Sequence, residues 1–101
     1  MPVPDEFARR FLVRGEDTID RYPRRREDRL LLLQWIADRA FTDDDDLTES
    51  QVNERLYRYT DDVAVLRRYL VDAELLERFP DGTGYRRVRP APVVDPPSVV
   101  E

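Results

Sequence analysis

Asp61-Asp62-Val63-Ala64-Val65-Leu66-Arg67-Arg68-Tyr69-Leu70-Val71-Asp72-Ala73, followed by Leu75-Leu76-Glu77-Arg78-Phe79 and Tyr85-Arg86-Arg87-Val88, decides the fold. Val63, Leu66, Leu70 and Ala73 recur at helical spacing and make one apolar stripe. Thr60, Asp61 or Asp62 supplies an N-cap, because a short side-chain oxygen can accept from the free amides of the first turn. The outer face of this helix carries Ala64, Val65, Arg68 and Asp72, with Arg67 on its flank. Two short strands are predicted next, over Leu75 to Phe79 and Tyr85 to Val88. Between them, Pro80-Asp81-Gly82-Thr83-Gly84 has the chemistry of a hairpin turn.

Upstream, Thr48 with Gln51 three residues on has the spacing of a capping box. It predicts a helix from about Glu49 to Tyr59 that buries Val52, Leu56 and Tyr59. The turn over Tyr59 to Asp62 has the length of a helix-turn-helix crossing. A longer helix is predicted from about Arg24 to Ala40, with Leu32, Leu33, Ile36 and Ala40 in one stripe. Leu31 and Trp35 lie off that stripe, so this helix has a second apolar face. Either Phe7 and Phe11, on a short helix over residues 4–14, cover it, or it is a homodimer contact. Gly15 reads as the stop of that short helix, and residues 16–23 as a connector anchored by Ile19 and Tyr22. The expected class is mainly α with a small β-hairpin: winged-helix-like, a helix-turn-helix plus wing, with an extra N-terminal helix. One domain is expected over residues 4–89. A Pro-rich tail without periodicity, disordered or extended, is expected over 90–101.

Composition narrows the chemistry. The chain has 101 residues, enough for one modest core. It has neither Cys nor His, which removes thiolate chemistry, disulfides, the commonest general base and the commonest metal ligand. Ser50 and Ser98 have no His to activate them, and the three glycines form no phosphate loop. No enzyme activity, cofactor or metal is expected. No apolar run is long enough to span a bilayer, and the N-terminus lacks the pattern of a signal peptide, so a cytoplasmic protein without membrane partners is expected. Asp43 to Asp46 fail the calcium-loop pattern, since Leu47 and Thr48 stand where a ligand and Gly are needed. They read as an acidic loop that favours the N-terminus of the helix starting near Glu49 and that would repel nucleic acid.

The net charge is −5, against a protein that coats nucleic acid by bulk charge. Its distribution is uneven. Residues 43–62 hold eight acids against Arg55 and Arg58, whereas residues 63–89 hold six Arg against four acids. Every basic residue is Arg, a planar fork suited to carboxylate or phosphate.

Asp61-Asp62-Val63-Ala64-Val65-Leu66-Arg67-Arg68-Tyr69-Leu70-Val71-Asp72, Leu75-Leu76-Glu77-Arg78, Asp81-Gly82 and Tyr85-Arg86 together resemble the domain-of-unknown-function 2087 family. Leu47-Thr48-Glu49-Ser50-Gln51-Val52-Asn53-Glu54-Arg55-Leu56 and the basic run Pro23-Arg24-Arg25-Arg26 before Leu30 to Trp35 support the resemblance, which covers about residues 11–88. It implies a small prokaryotic protein, of a kind also found attached to transcription-regulator-like winged-helix domains. The resemblance implies no activity. The family often has Tyr-Trp where this chain has Tyr85-Arg86, an aromatic at Val63 and Glu at Gln51, which puts any shared ligand near the wing in doubt.

Two functions follow as expectations. The first is a DNA-binding, transcription-regulatory winged helix. Its candidate contacts are Arg67 and Arg68 on the helix over about Val63 to Ala73, Arg86 and Arg87 on the wing, and the cluster Arg24, Arg25 and Arg26. Arg68 is best placed to read a base edge; Arg67 either bonds phosphate or pairs with acids inside the domain. The alternative is a winged-helix protein–protein interaction module, homodimeric or otherwise, that binds no nucleic acid. Leu31 and Trp35 would form its interface.

Overall fold

A computed structural model describes residues 3–41 and 46–88. Most of the acidic loop and the Pro-rich tail lie outside the described residues. The elements are α1 (Asp5–Arg9), α2 (Arg26–Ala40), α3 (Glu49–Leu56), α4 (Val63–Asp72), β1 (Leu76–Arg78) and β2 (Tyr85–Arg87). The chain is therefore mainly helical and ends in a two-stranded antiparallel hairpin. The order and connections are compatible with the winged-helix plan. No helix among the described residues is long and apolar enough to cross a membrane.

The local signals act as the side chains require. Thr48 Oγ1 accepts from the Gln51 amide while Gln51 Oε1 accepts from the Thr48 amide, which closes the capping box of α3. Asp62 Oδ1 accepts from the Val65 amide and caps α4. Val52, Leu56, Tyr59, Val63, Leu66 and Leu70 meet in the core with Leu32, Leu33 and Ile36 of α2. The helix expected over 4–14 is shorter. After Arg9 the chain turns back on itself, with a bridge between Leu12 and Ile19, and the Phe11 carbonyl accepts from the Asp20 and Arg21 amides. Gly15, at φ +78°, serves this turn rather than a helix end.

A third strand position was hidden in the acidic loop. Leu47 pairs with Tyr85 through both backbone bonds, N–H to O at 2.8 Å and O to H–N at 2.7 Å. β2 thus lies between Leu47 and β1, and the α2–α3 connection is tied to the wing.

α4 ends in a Schellman motif. The Leu75 amide donates to the Leu70 carbonyl and the Glu74 amide to the Val71 carbonyl. The C′ residue is Glu74, at φ +62°, the only non-Gly positive φ among the described residues. A side chain in this left-handed conformation costs about 1 kcal/mol. Glu74→Gly is expected to stabilise the fold by about 0.5–1 kcal/mol, read as a melting temperature a few degrees higher by circular dichroism. A lower melting temperature would show that the Glu74 side chain contributes more than the strain costs.

The N-terminal segment is fastened by charge as well as packing. Asp17 accepts from Arg58 Nε at 2.9 Å and Nη2 at 2.7 Å, and meets Arg9 at 3.2 Å. The Arg58 hydrogen bonds hold the Asp17 carboxyl below its ordinary range, partly opposed by burial and aided by the charges of Arg58, Arg9 and Arg39.

Candidate nucleic-acid interface

The pleat of the hairpin sorts its arginines. Leu76, Arg78, Tyr85 and Arg87 share one face of the two-stranded ribbon; Glu77 and Arg86 share the other. Tyr85 and Leu76 are buried, so their face is the inner one.

Arg87 points inward and is buried, its side chain 2% exposed. Its Nη1 donates to the Ala37 carbonyl at 2.6 Å and to the Phe41 carbonyl at 3.2 Å. Its Nη2 donates to Asp38 Oδ1 at 2.6 Å. These are groups at the C-terminus of α2, where free carbonyls favour a cation. Arg55 completes the same cap through Nη1 to the Ala40 carbonyl. The expectation that Arg87 meets nucleic acid is corrected: its donors are spent inside the fold.

Trp35 is corrected as an interface residue for the same kind of reason. It is buried, its Nε1 donates to Asp5 Oδ1 at 2.9 Å, and its ring meets Tyr59 edge-on. α1 and its flanks cover it. Leu31 keeps 39% exposure and Leu30, beside it, 37%.

Arg67 occupies a middle position. Its side chain is 20% exposed, its Nη1 donates to Asn53 Oδ1, and Nη2 lies 3.8 Å from Glu49. Tyr85 donates its hydroxyl to the same Glu49 carboxylate at 3.3 Å. This network joins α3, α4 and β2 and limits the donors Arg67 can present outward. Arg86 lies on the far face of the ribbon, 3.2 Å from Asp46 and over the Phe79 ring.

Of Arg67, Arg68, Arg86 and Arg87, Arg68 is the most open. Its side chain is 83% exposed, and among the described residues its one ion pair is a loose 3.9 Å contact with Asp72 one turn later. Arg24, Arg25 and Arg26 are all exposed; α2 begins at Arg26, without a side-chain cap at Arg25.

Two residues absent from the sequence-based set complete the picture. Arg78 at the end of β1 reaches the cleft between α4 and the hairpin, which Ala64, Arg67, Arg68, Val71, Asp72 and Tyr85 also line. Asp72 is the one carboxylate of that lining. Strand alternation could have found Arg78, since it sits two residues after the buried Leu76. Tyr22 and Tyr69 meet edge-on at 4.9 Å behind this region, and burial pushes the Tyr22 hydroxyl up to about 12, with Tyr69 and Asp62 adding to the shift. Among the described residues, no group of three or more acids is placed to hold a metal ion.

Element order and groove are those of a small, mainly helical domain compatible with the winged-helix class. Residues 18–87 match a family described as an uncharacterized protein conserved in bacteria, DUF2087, and the chain belongs to that family. No curated protein and no solved structure matches it.

Proposed function

We propose that this is a cytoplasmic, non-enzymatic winged-helix protein that binds DNA in transcription regulation. One observation carries the reading. On a chain of net charge −5, the cleft joining α4 to the hairpin is lined by three arginines and a single carboxylate. Ala64, Val65, Arg68 and Asp72 form the outer face of α4, a surface of low bulk with one extended guanidinium and one carboxylate. Entering the major groove, Arg68 can take the O6 and N7 of a guanine through two parallel hydrogen bonds, and Ala64 and Val65 can meet thymine methyls. Arg78 then serves a phosphate, while Arg67 holds α4 against α3 and the wing.

Binding to a duplex is expected at low salt and is expected to weaken steeply as salt rises. Arg68→Ala should cost about 1–3 kcal/mol on the preferred site and relax discrimination at one base pair. Anisotropy of a labelled duplex measures both. A wild-type protein that leaves the duplex free at low salt sinks the reading. The alternative, a protein-interaction module, is favoured by the exposure of Leu30 and Leu31 on α2. A dimer that is lost on Leu31→Asp, seen by light scattering, would support it.

A further inference from the structure

Asp72 lines two clefts at once. One is the α4–hairpin groove with Arg67, Arg68 and Arg78. The other lies between α2 and α4, where Arg26 and Arg29 face Tyr69, Asp72 and Ala73. The guanidinium of Arg29 lies 5.9 Å from the centre of the Tyr69 ring. Among the described residues, five arginines therefore line the two clefts, and Asp72 is the only carboxylate in either lining. The two clefts share Asp72, at the C-terminal end of α4.

From this placement, and resting on the nucleic-acid reading above, we infer that a duplex is gripped across both clefts. Arg26 and Arg29 hold backbone phosphates beyond the reach of α4 and the wing, and Asp72 between them limits the affinity. A row of guanidiniums on both sides of one residue matches a polyanion with regularly spaced charges better than it matches a single anion. Arg68 leans on Asp72 at 3.9 Å in the free protein. When Arg68 turns to a base or phosphate, the Asp72 carboxylate is left facing the backbone with its partner withdrawn. Every complex bears that repulsion, and only a site that fully engages Arg68 offsets it. Asp72 thus holds down binding to arbitrary sequence.

The test is a salt titration of anisotropy with a labelled mixed-sequence duplex, using the full chain. Arg26 is exposed and outside the core, and Arg26→Ala is checked for an unchanged melting temperature. Arg26→Ala is expected to reduce the slope of log K against log salt by about one, the loss of one phosphate contact. Asp72→Asn is expected to tighten binding at low salt by about threefold, the scale of a solvent-exposed charge contact. If Arg26→Ala leaves the slope unchanged while Arg78→Ala lowers it, the contact ends at the α4–hairpin groove: the extended grip is overturned and the DNA reading stands. If Asp72→Asn binds no more tightly than wild type, the limiting role of Asp72 is overturned. If the wild-type chain binds no duplex, the DNA reading and this inference fall together.

Discussion

Arg87→Ala is expected to lower the stability of the domain by about 3 kcal/mol, a fall in melting temperature on the order of 15 °C. The side chain is almost wholly enclosed and its guanidinium fork donates to two carbonyls and one carboxylate at the end of α2. Truncation strips the Phe41 carbonyl of that donor and leaves Asp38 without its cation. The Ala37 carbonyl still accepts from the Phe41 amide, so it is not orphaned. An unsatisfied buried polar group costs about 1–3 kcal/mol, and the space vacated by the side chain adds to it. Two further variants separate bonding from packing. Arg87→Met keeps most of the bulk and should recover only part of the loss. Arg87→Lys keeps the charge but cannot fork between the carbonyls and Asp38, so it should also fall short of wild type. Arg68→Ala, on an exposed side chain, should change stability by less than about 0.5 kcal/mol. A melting temperature for Arg87→Ala equal to that of Arg68→Ala would contradict the structural role of Arg87.

The second large effect is expected at Gly84. A Cβ there would lie 2.3 Å from the Leu47 carbonyl oxygen and 3.2 Å from its carbonyl carbon. Both are backbone atoms, held in place by the Leu47–Tyr85 pairing, so the clash cannot be relieved by a side-chain rotation. Gly84→Ala should force Leu47 away from β2, breaking two backbone hydrogen bonds, and cost about 3 kcal/mol in urea unfolding. Gly82 offers the contrast. Its φ is +75°, but the nearest atom to an added Cβ is the flexible tip of Arg78 at 3.8 Å. Gly82→Ala should therefore cost only the left-handed strain, about 1 kcal/mol. Gly82→Asn should recover part of it, because Asn tolerates that conformation; Gly84→Asn should recover nothing. An equal loss at Gly82 and Gly84 would mean that the Leu47 bridge contributes little to stability.

Elements with local causes were legible in the sequence. The capping box at Thr48 and Gln51, the α4 stripe and the Asp81-Gly82 turn each depend on near neighbours, and each formed where its residues predict; of the three caps open for α4, Asp62 is the one used. The family resemblance, carried by the α4 and hairpin residues, holds over residues 18–87. The site was legible only in part. Arg68 on the outer face of α4 follows from helical periodicity. Of Arg86 and Arg87, strand alternation sends only one outward, and charge does not say that Arg87 is the inner one. Alternation from Tyr85 puts it on the inner face, but the carbonyls that make burial tolerable lie on α2, almost half the chain away. Leu47 was hidden for a related reason: one residue of strand has no period, and its partner comes from the hairpin. For Trp35 the alternative of cover by the N-terminal segment is the one found; what no local pattern encodes is the hydrogen bond to Asp5 that fixes it.

The N-terminal segment gives the domain a boundary problem. The recognisable family stretch begins at residue 18. Val3, Ala8, Phe11 and Leu12 nevertheless belong to the core, and Asp5 and Asp17 clasp Trp35 and Arg58 across that line. The unit defined by descent is thus smaller than the unit defined by cohesion. A cut at residue 18 would follow the first and break the second, leaving an indole and two guanidiniums on a newly opened face. Were another polypeptide ever to replace this segment, it would have to imitate it: acidic at both ends, with aromatic rings between.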